Sequence, residues 1–399
     1  MWRNGWYCPR IFLTLRNNGS LQMDLSEIRG KIDSIDDKIL DLFIERMNLS
    51  LEVAKFKSAN NMVVFQGDRE KFIIDSVREN APEPLKKSAA FLFMNIMDIS
   101  KCAQINEISP DFKLDFTDKI KPRASVAVQG IEGAYGHAAC KKLFDNGSIS
   151  FFASFKEVFE AVESGDVDYG ILPVENSTAG EVTANMELLE RHSVYICRTV
   201  FVECAHVLAA KKGVREEDVK ILFGHEQAIR QCTSYIESRG NLTVIPYHNN
   251  AAAAKMVSEN ESGELGCICS AECAEMHGLD IVRDSIASDP DNRTRFICIS
   301  KNVEVYDGAD TVAVSLSIPN ISGALYRLLT KFAVNGLSMS KILSKPLPTD
   351  VKMKFPEDYM FYIEFDGSVK DPVVRRLLGN FQSELNYFKF HGNFAGHRG

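Results

Sequence analysis

Apolar residues fall at Ile28, Ile32, Ile35, Ile39, Leu42, Leu49, Val53 and Phe56, in steps of four and three interrupted only by Arg46. That period predicts a single amphipathic helix, about 50 Å long at 1.5 Å per residue. Asp24 with Glu27 predicts a capping box at its start. Two shorter helices are expected near 68–80 and 84–107, parted by the breaker "APEP". A seam this long cannot be covered by one small helical domain, so a coiled-coil-like pairing with a second copy is expected.

The pattern then changes. Between 124 and 301, strand-like runs such as "ASVAVQG" and "VYICRTVFVECAHVLAA" alternate with helical ones such as "AAAAKMVSE". That alternation predicts an α/β domain with its site at the strand ends. Residues 309–392 follow a β-α-β-β-α-β order, which predicts a small α+β, ferredoxin-like module. The expected division is an extension over 1–22, a helical domain over 23–109, a polar linker over 110–123, and the two later domains. The extension carries three arginines and no acid, with an apolar core "IFL" too short for a secretory signal. It is expected to be disordered, upstream of a start at the later Met23.

Composition narrows the partners. The 399 residues carry a formal net charge of −8, which argues against nucleic acid, whose phosphates need a basic footprint. No apolar run approaches the roughly 20 residues of a membrane span. The ten cysteines form no CxxC pair, the usage of a reducing cytosol rather than a disulfide framework.

Charged residues on the helical seam suggest chemistry. Lys57 follows Arg46 by eleven residues, close to three turns, and shares its face. Arg29 precedes Arg46 by seventeen residues, roughly 25 Å along the axis, and cannot serve the same small anion from the same helix. In a dimer it could serve the partner's site. Arg69 and Glu70 come from the second helix; Ser100 and Gln104, an i,i+4 pair, come from the third. Such a set would clamp a dianion without a nucleophile.

In the α/β block three turns stand out. "VAVQGIEGAYGHAAC" has the spacing G-x-x-G-x-x-G rather than the dinucleotide fingerprint G-x-G-x-x-G. In "YGILPVENSTAG" a buried strand is expected to end at Pro173, followed by Glu175, Asn176, Ser177 and Thr178, a site or a helix cap. "DNRTRF" places Thr294 between two guanidiniums at the mouth of a core strand, a solvated loop or part of a site. "CICSAECAEMH" sets Cys267 and Cys269 on one strand face, with Cys273 and His277 a helical turn apart. Zinc ligation is the alternative there to small buried hydrophobes.

The segment "EIRGKIDSIDDKILDLFIERMNLSLEVAKFK", with "DRE" and "SKCAQ", resembles the all-helical chorismate mutases. The resemblance implies an intertwined dimer that holds chorismate in a chair-like conformer for rearrangement to prephenate. It implies that Arg46 and the partner's Arg29 bind carboxylates, assisted by Arg69 and Ser100. Lys57 and Gln104 would bond the ether oxygen, and Glu70 the ring hydroxyl. Gln66 stands where that family often has an aspartate.

Gly130, Gly133 and Tyr135, "PVEN" at 173–176, "HEQAIRQC" at 225–232 and Thr294-Arg295-Phe296 together resemble prephenate dehydratase. The implied fold has two lobes, like a periplasmic binding protein, with substrate in the cleft between them. Thr294 and Glu175 would then lie nearest the leaving hydroxyl. Asn176, Ser177, Gln227 and Gln231 would orient the substrate, and Arg295 would bind a carboxylate. The C-terminal module resembles the ACT regulatory domain, whose two motifs bind phenylalanine between paired modules. Gly323, Ala324 and Leu325 match the first motif. Ser344 and Pro346 remain of the second, in which Leu343 and Lys345 replace a Glu and an Arg, so a weakened phenylalanine site is expected. The combined expectation is a bifunctional, cofactor-free and metal-free chorismate mutase–prephenate dehydratase, a homodimer or higher homo-oligomer inhibited by L-phenylalanine. Its alternatives are a dehydratase that prefers arogenate and a non-catalytic amino-acid sensor.

Overall fold

The computed structural model describes residues 24–60, 67–108, 112–119, 121 and 123–396. The extension over 1–22 and Gln66 lie outside the described residues. The chain divides into two compact units. The first holds the residues to Asp111 with Ser322–Gly336 and Arg376–Asn380; the second holds Phe112–Ile321, Leu337–Arg375 and Phe381 onward.

Three helices open the chain: α1 (Leu25–Ala59), α2 (Gly67–Asn80) and α3 (Lys86–Ile108). The helical period is realised, but Asp24 makes no side-chain cap, so the expected capping box does not form. Helix α1 packs on α3, and its buried residues are Ser50, Ala54 and Lys57, a stripe of small side chains and one amine. Small residues let the helices approach closely. The apolar seam lies elsewhere: Ile39, Leu42, Leu49 and Phe56 are 58%, 65%, 61% and 63% exposed. The burial of α1 within its own chain therefore uses the face that the seam does not occupy.

The α/β region follows. Its first part comprises β1 (Ser125–Gln129), α4 (Tyr135–Leu143), β2 (Ser148–Phe152), α5 (Phe155–Ser164), β3 (Tyr169–Asn176), the short β4 (Gly180–Glu181), α6 (Thr183–Arg191) and β5 (Tyr195–Glu203). The run "VYICRTVFVECAHVLAA" is two strands rather than one. The chain leaves the first sheet after Glu203 and begins β6 (Val207–Ala210) in another. The second lobe continues with β7 (Ile221–Gly224), α7 (Glu226–Gln231), α8 (Thr233–Arg239), β8 (Thr243–Pro246), α9 (Asn250–Glu259), β9 (Leu265–Cys269), α10 (Ala271–Met276) and β10 (Asp280–Arg283). Its five strands run β10-β6-β9-β7-β8. Strand β11 (Arg293–Ser300) returns to the first lobe between β5 and β3.

The C-terminal module carries β12 (Thr311–Pro319), α11 (Ala324–Val334), β13 (Met339–Lys345), α12 (Thr349–Lys354), β14 (Asp358–Asp366), α13 (Pro372–Glu384) and β15 (Phe388–Phe394). Its antiparallel strands run β13-β14-β12-β15, and β15 pairs with β5, so module and first lobe share one ten-stranded sheet. The junction requires Gly392: at φ 150° a Cβ there would fall inside the van der Waals shell of the Ile196 carbonyl. Beside it Glu190 is buried on Tyr387 (2.8 Å), His391 (3.1 Å) and the Ser315 hydroxyl. Burial alone would raise its carboxyl pKa; His391 and the two hydroxyls outweigh that and hold it at about 2. Among the described residues no helix is long and apolar enough to cross a membrane.

Candidate active sites

Strand pairing builds the first site. Thr294 pairs with Asn176 on one side and with Val202 on the other, so it belongs to β11 and not to a solvated loop. Asn176 Oδ1 accepts from the backbone N–H groups of Thr178 (3.2 Å) and Ala179 (2.9 Å). Those groups can only donate, which fixes the amide orientation. Asn176 Nδ2 therefore donates to Thr294 Oγ1 at 2.9 Å and to Asn292 Oδ1 at 2.8 Å. Thr294 Oγ1 is thereby an acceptor, and its own proton is free for Cys204 Sγ, 3.1 Å away, or for a bound molecule. Burial pushes the Cys204 thiol pKa up, so the sulfur is not a thiolate.

These groups line a cavity of about 410 Å³ between the lobes, together with Tyr135, His206, Gln227 and Gln231. Its size suits a small oxygenated molecule held by a few convergent polar groups. Among the described residues the side-chain partners of Thr294 Oγ1 are Asn176 and Cys204, neither of them a base, so the arrangement offers hydrogen-bond donation rather than an activated nucleophile.

Strand alternation sends the neighbouring residues elsewhere. Arg295 and Glu175 are paired partners one step from Thr294 and Asn176 and project from the opposite face. Alternation returns Phe296 to the side of Thr294, and the shift in pairing between Arg295 and Phe296 brings Pro173 and Ile171 to the cavity wall with it. The Arg295 guanidinium is buried on Glu364 of the C-terminal module at 2.9 Å. Burial alone would lower its pKa, but Glu364 and Tyr362 more than offset that. Glu175 receives Lys341 at 2.6 Å. The expectations that Arg295 binds a substrate carboxylate and that Glu175 reaches the leaving hydroxyl are therefore corrected. Ser177 is corrected too: its hydroxyl accepts from Arg293 N–H at 3.0 Å, at the strand end, and Thr178 takes the inward place.

The altered ACT motif finds similar work. Leu343 packs against the core of the first lobe, and Lys345 is ion-paired with Glu181. Gly323 begins α11 at φ 84° with open space beside it, a left-handed cap that favours glycine. Ser344 is exposed on β13, and Pro346 directly follows that strand.

In the helical unit, Arg46 donates to Ser100 Oγ and to Ile96 O (3.4 Å). Burial lowers the pKa of Arg46 and of Lys57; Glu70 acts against that for Lys57. Glu70 itself receives Lys101 at 3.2 Å, a residue the sequence did not single out. Gln104 is half-buried on α3. Arg69 lies over the Phe72 ring at 5.3 Å. Arg29 is exposed near the far end of α1.

Sequence reasoning missed Cys204 and His206, which sit in the crossover between lobes and read there as strand residues. The zinc alternative is not supported by the thiols. The hydrogen bond with Cys269 and burial both push the Cys273 thiol up, and Cys267 donates to Ala209 O at 3.6 Å. Among the described residues no group of three or more His, Cys, Asp or Glu is arranged to hold a metal ion.

Family models for prephenate dehydratase and chorismate mutase type II match residues 126–304 and 28–105. A bifunctional chorismate mutase/prephenate dehydratase of Stutzerimonas stutzeri is 29% identical, over 93% of this chain and 97% of that protein. The arogenate dehydratase/prephenate dehydratase 1 of Arabidopsis thaliana is 32% identical, over 68% of this chain and 71% of that protein. The crystal structure of prephenate dehydratase from Arthrobacter aurescens in complex with L-Phe is 28% identical with a TM-score of 0.61, over 68% of this chain and 90% of that one.

The Arg295–Glu364 pair predicts a measurable asymmetry. Glu364→Gln leaves a buried guanidinium without its counter-charge and should cost about 3–5 kcal/mol in denaturant unfolding. Arg295→Met combined with Glu364→Leu should recover most of that loss. A Glu364→Gln protein as stable as the parent would contradict the pairing.

Proposed function

The chain belongs to the bifunctional chorismate mutase/prephenate dehydratase family, and from that premise we propose which residues perform each step. The protein converts chorismate to prephenate and prephenate to phenylpyruvate, successive steps of phenylalanine biosynthesis. The domain boundaries we assign are 23–109 for the mutase, 124–301 for the dehydratase and 309–392 for the regulatory module.

The dehydratase step takes place in the cavity of the second unit. Prephenate loses its ring carboxylate as CO2 and its ring hydroxyl, with one proton, as water; aromaticity drives the change. The protein needs to hold the ring and direct a hydrogen bond at the departing oxygen. Thr294 is our choice for that donor, and the observation that carries it is the Asn176 amide, which occupies the hydroxyl as an acceptor and leaves its proton outward. Gln227 and Gln231 orient the substrate. Thr294→Ala should abolish phenylpyruvate formation from prephenate while prephenate formation from chorismate continues. Loss of both activities in a folded protein would rule out separate sites.

The mutase step needs no acid or base, only a held conformer and donors aimed at the ether oxygen as it gains charge. Arg46 and Ser100 bind one carboxylate, Lys57 and Gln104 the ether oxygen, and Glu70 the ring hydroxyl. We assign Arg29 to the partner's site, in a homodimer that covers the exposed seam of α1. Arg29→Ala and Lys57→Ala should each lower kcat/KM at least ~10²-fold, the scale of one lost electrostatic donor. Mixed dimers of the two variants should regain activity, because one site per dimer is then intact. Verified mixing without recovery would contradict the shared site.

We also infer feedback by L-phenylalanine. Supporting it are the C-terminal module and the phenylalanine complex of the Arthrobacter relative. The ties Glu175–Lys341 and Arg295–Glu364 offer a path from the module to the back of the strands that carry Asn176 and Thr294. Leu343 and Lys345 serve contacts with the first lobe, so their departure from the motif is not by itself a reason for weak binding. Added phenylalanine should slow phenylpyruvate formation, and Lys341→Met should reduce that sensitivity several-fold, within the usual range of allosteric coupling. Unchanged rates at saturating phenylalanine would overturn the inference. A cytosolic location fits the described cysteines from Cys140 to Cys298, which are buried and form no disulfide with one another.

A further inference from the structure

His206 lies in the three-residue crossover between β5 and β6, on the cavity wall yet only 2% exposed. Its backbone is held against the returning crossover, where Ile286 N–H donates to His206 O at 3.0 Å. Both ring nitrogens are engaged. Nδ1 lies 2.9 Å from Tyr135 Oη in the first lobe, and Nε2 lies 2.9 Å from Gln231 Oε1 in the second.

The donor order around this ring follows from the backbone. Asn176 presents Oδ1 to Thr178 N–H and Ala179 N–H, so the atom of Gln231 that lies 3.2 Å from that oxygen must be the amide nitrogen. The same nitrogen donates to Thr178 Oγ1 at 2.7 Å. Gln231 Oε1 then faces His206, and His206 must carry its proton on Nε2. Nδ1 is left as an acceptor for the Tyr135 hydroxyl, whose proton is shared with Ala205 O at 3.2 Å. Were Nε2 bare, its lone pair would face that of Gln231 Oε1, and Gln231 could relieve this only by turning its oxygen towards Asn176 Oδ1.

We propose that His206 is a positioning residue of the dehydratase step: its Nε2–H holds the Gln231 amide in the one orientation that supports Asn176 and Thr178, and through Asn176 the Thr294 hydroxyl. It acts across the lobe junction, because Gln231 belongs to one lobe and Asn176 to the other. The inference rests on the dehydratase reading above and adds to it a residue outside the sequence motifs.

The test uses the full-length protein with prephenate, following phenylpyruvate, and with chorismate, following prephenate. Wild-type protein must first form phenylpyruvate; if it does not, the dehydratase reading itself fails. His206→Leu should lower kcat of the dehydratase about 10–100-fold, the scale of a slightly misplaced reacting group, with KM changed less than about threefold and the mutase untouched. Glutamine and asparagine separate positioning from mere packing. His206→Gln can place an N–H near the Nε2 position and should restore most of the rate, whereas His206→Asn reaches only the Nδ1 position and should not. In a Gln231→Leu background, adding His206→Leu should cost less than about twofold, because the two act as one unit. If the leucine variant does not fold, the glutamine–asparagine contrast still decides. Equal rates for those two variants, additive losses with Gln231→Leu, or a folded His206→Leu within about threefold of wild type would each overturn the proposal.

Discussion

The hydrogen bond from Asn176 Nδ2 to Thr294 Oγ1 is the constraint on which the dehydratase site depends. It is possible because β3 and β11 set the two residues directly opposite each other, and it has a direction because two backbone N–H groups claim the other end of the amide. A side-chain amide in isolation could point either way. Here the turn after β3 removes that freedom, and the order of donors spreads outward through Gln231 to His206 and Tyr135. A network whose donor order is set in this way is rigid, and rigidity is what a reaction driven by its own substrate requires of the protein.

The same strand pair faces two ways. Thr294 and Asn176 look into the cavity; Arg295 and Glu175 look towards the C-terminal module. One residue of separation along a strand is half a period, so the site and its connection to the module are built from adjacent positions. Phe296 follows Thr294 to the cavity side by alternation, and the shift in pairing after Arg295 brings Pro173 there opposite it. Gly392 does comparable work at the edge of the first lobe, where only a residue without a side chain lets β15 approach β5.

Much of this was legible in the sequence. The helical period of α1, the alternation of strands and helices and the β-α-β-β-α-β order of the last module follow from residue pattern, and the clustering of Asn176, Gln227, Gln231 and Thr294 from the family resemblance. What could not be read is which face of a strand a motif residue uses, since that depends on register and on the shift at Arg295. Glu175, Ser177 and Arg295 were misplaced for that reason. Cys204 and His206 were hidden by composition: "VYICRTVFVECAHVLAA" is mostly apolar, with no Gly or Pro to mark where it crosses between sheets. In the helical unit the period placed Arg46 and Lys57 correctly on one helix. Lys101 on Glu70 is a tertiary contact with no periodic signature, whereas Phe72 under Arg69 is an i,i+3 neighbour on α2.

The most direct test of this account is the protonation of one ring. Nitrogen-15 NMR of histidine-labelled protein, with the His206 signals assigned by comparison with a His206→Gln variant, reports which nitrogen carries the proton. Burial lowers the His206 pKa, with Gln231 acting in the opposite sense, so the ring should be neutral at neutral pH. The account predicts a proton on Nε2 and a bare Nδ1. A proton on Nδ1 with Nε2 bare would reverse the donor order from Gln231 to Asn176 and contradict it.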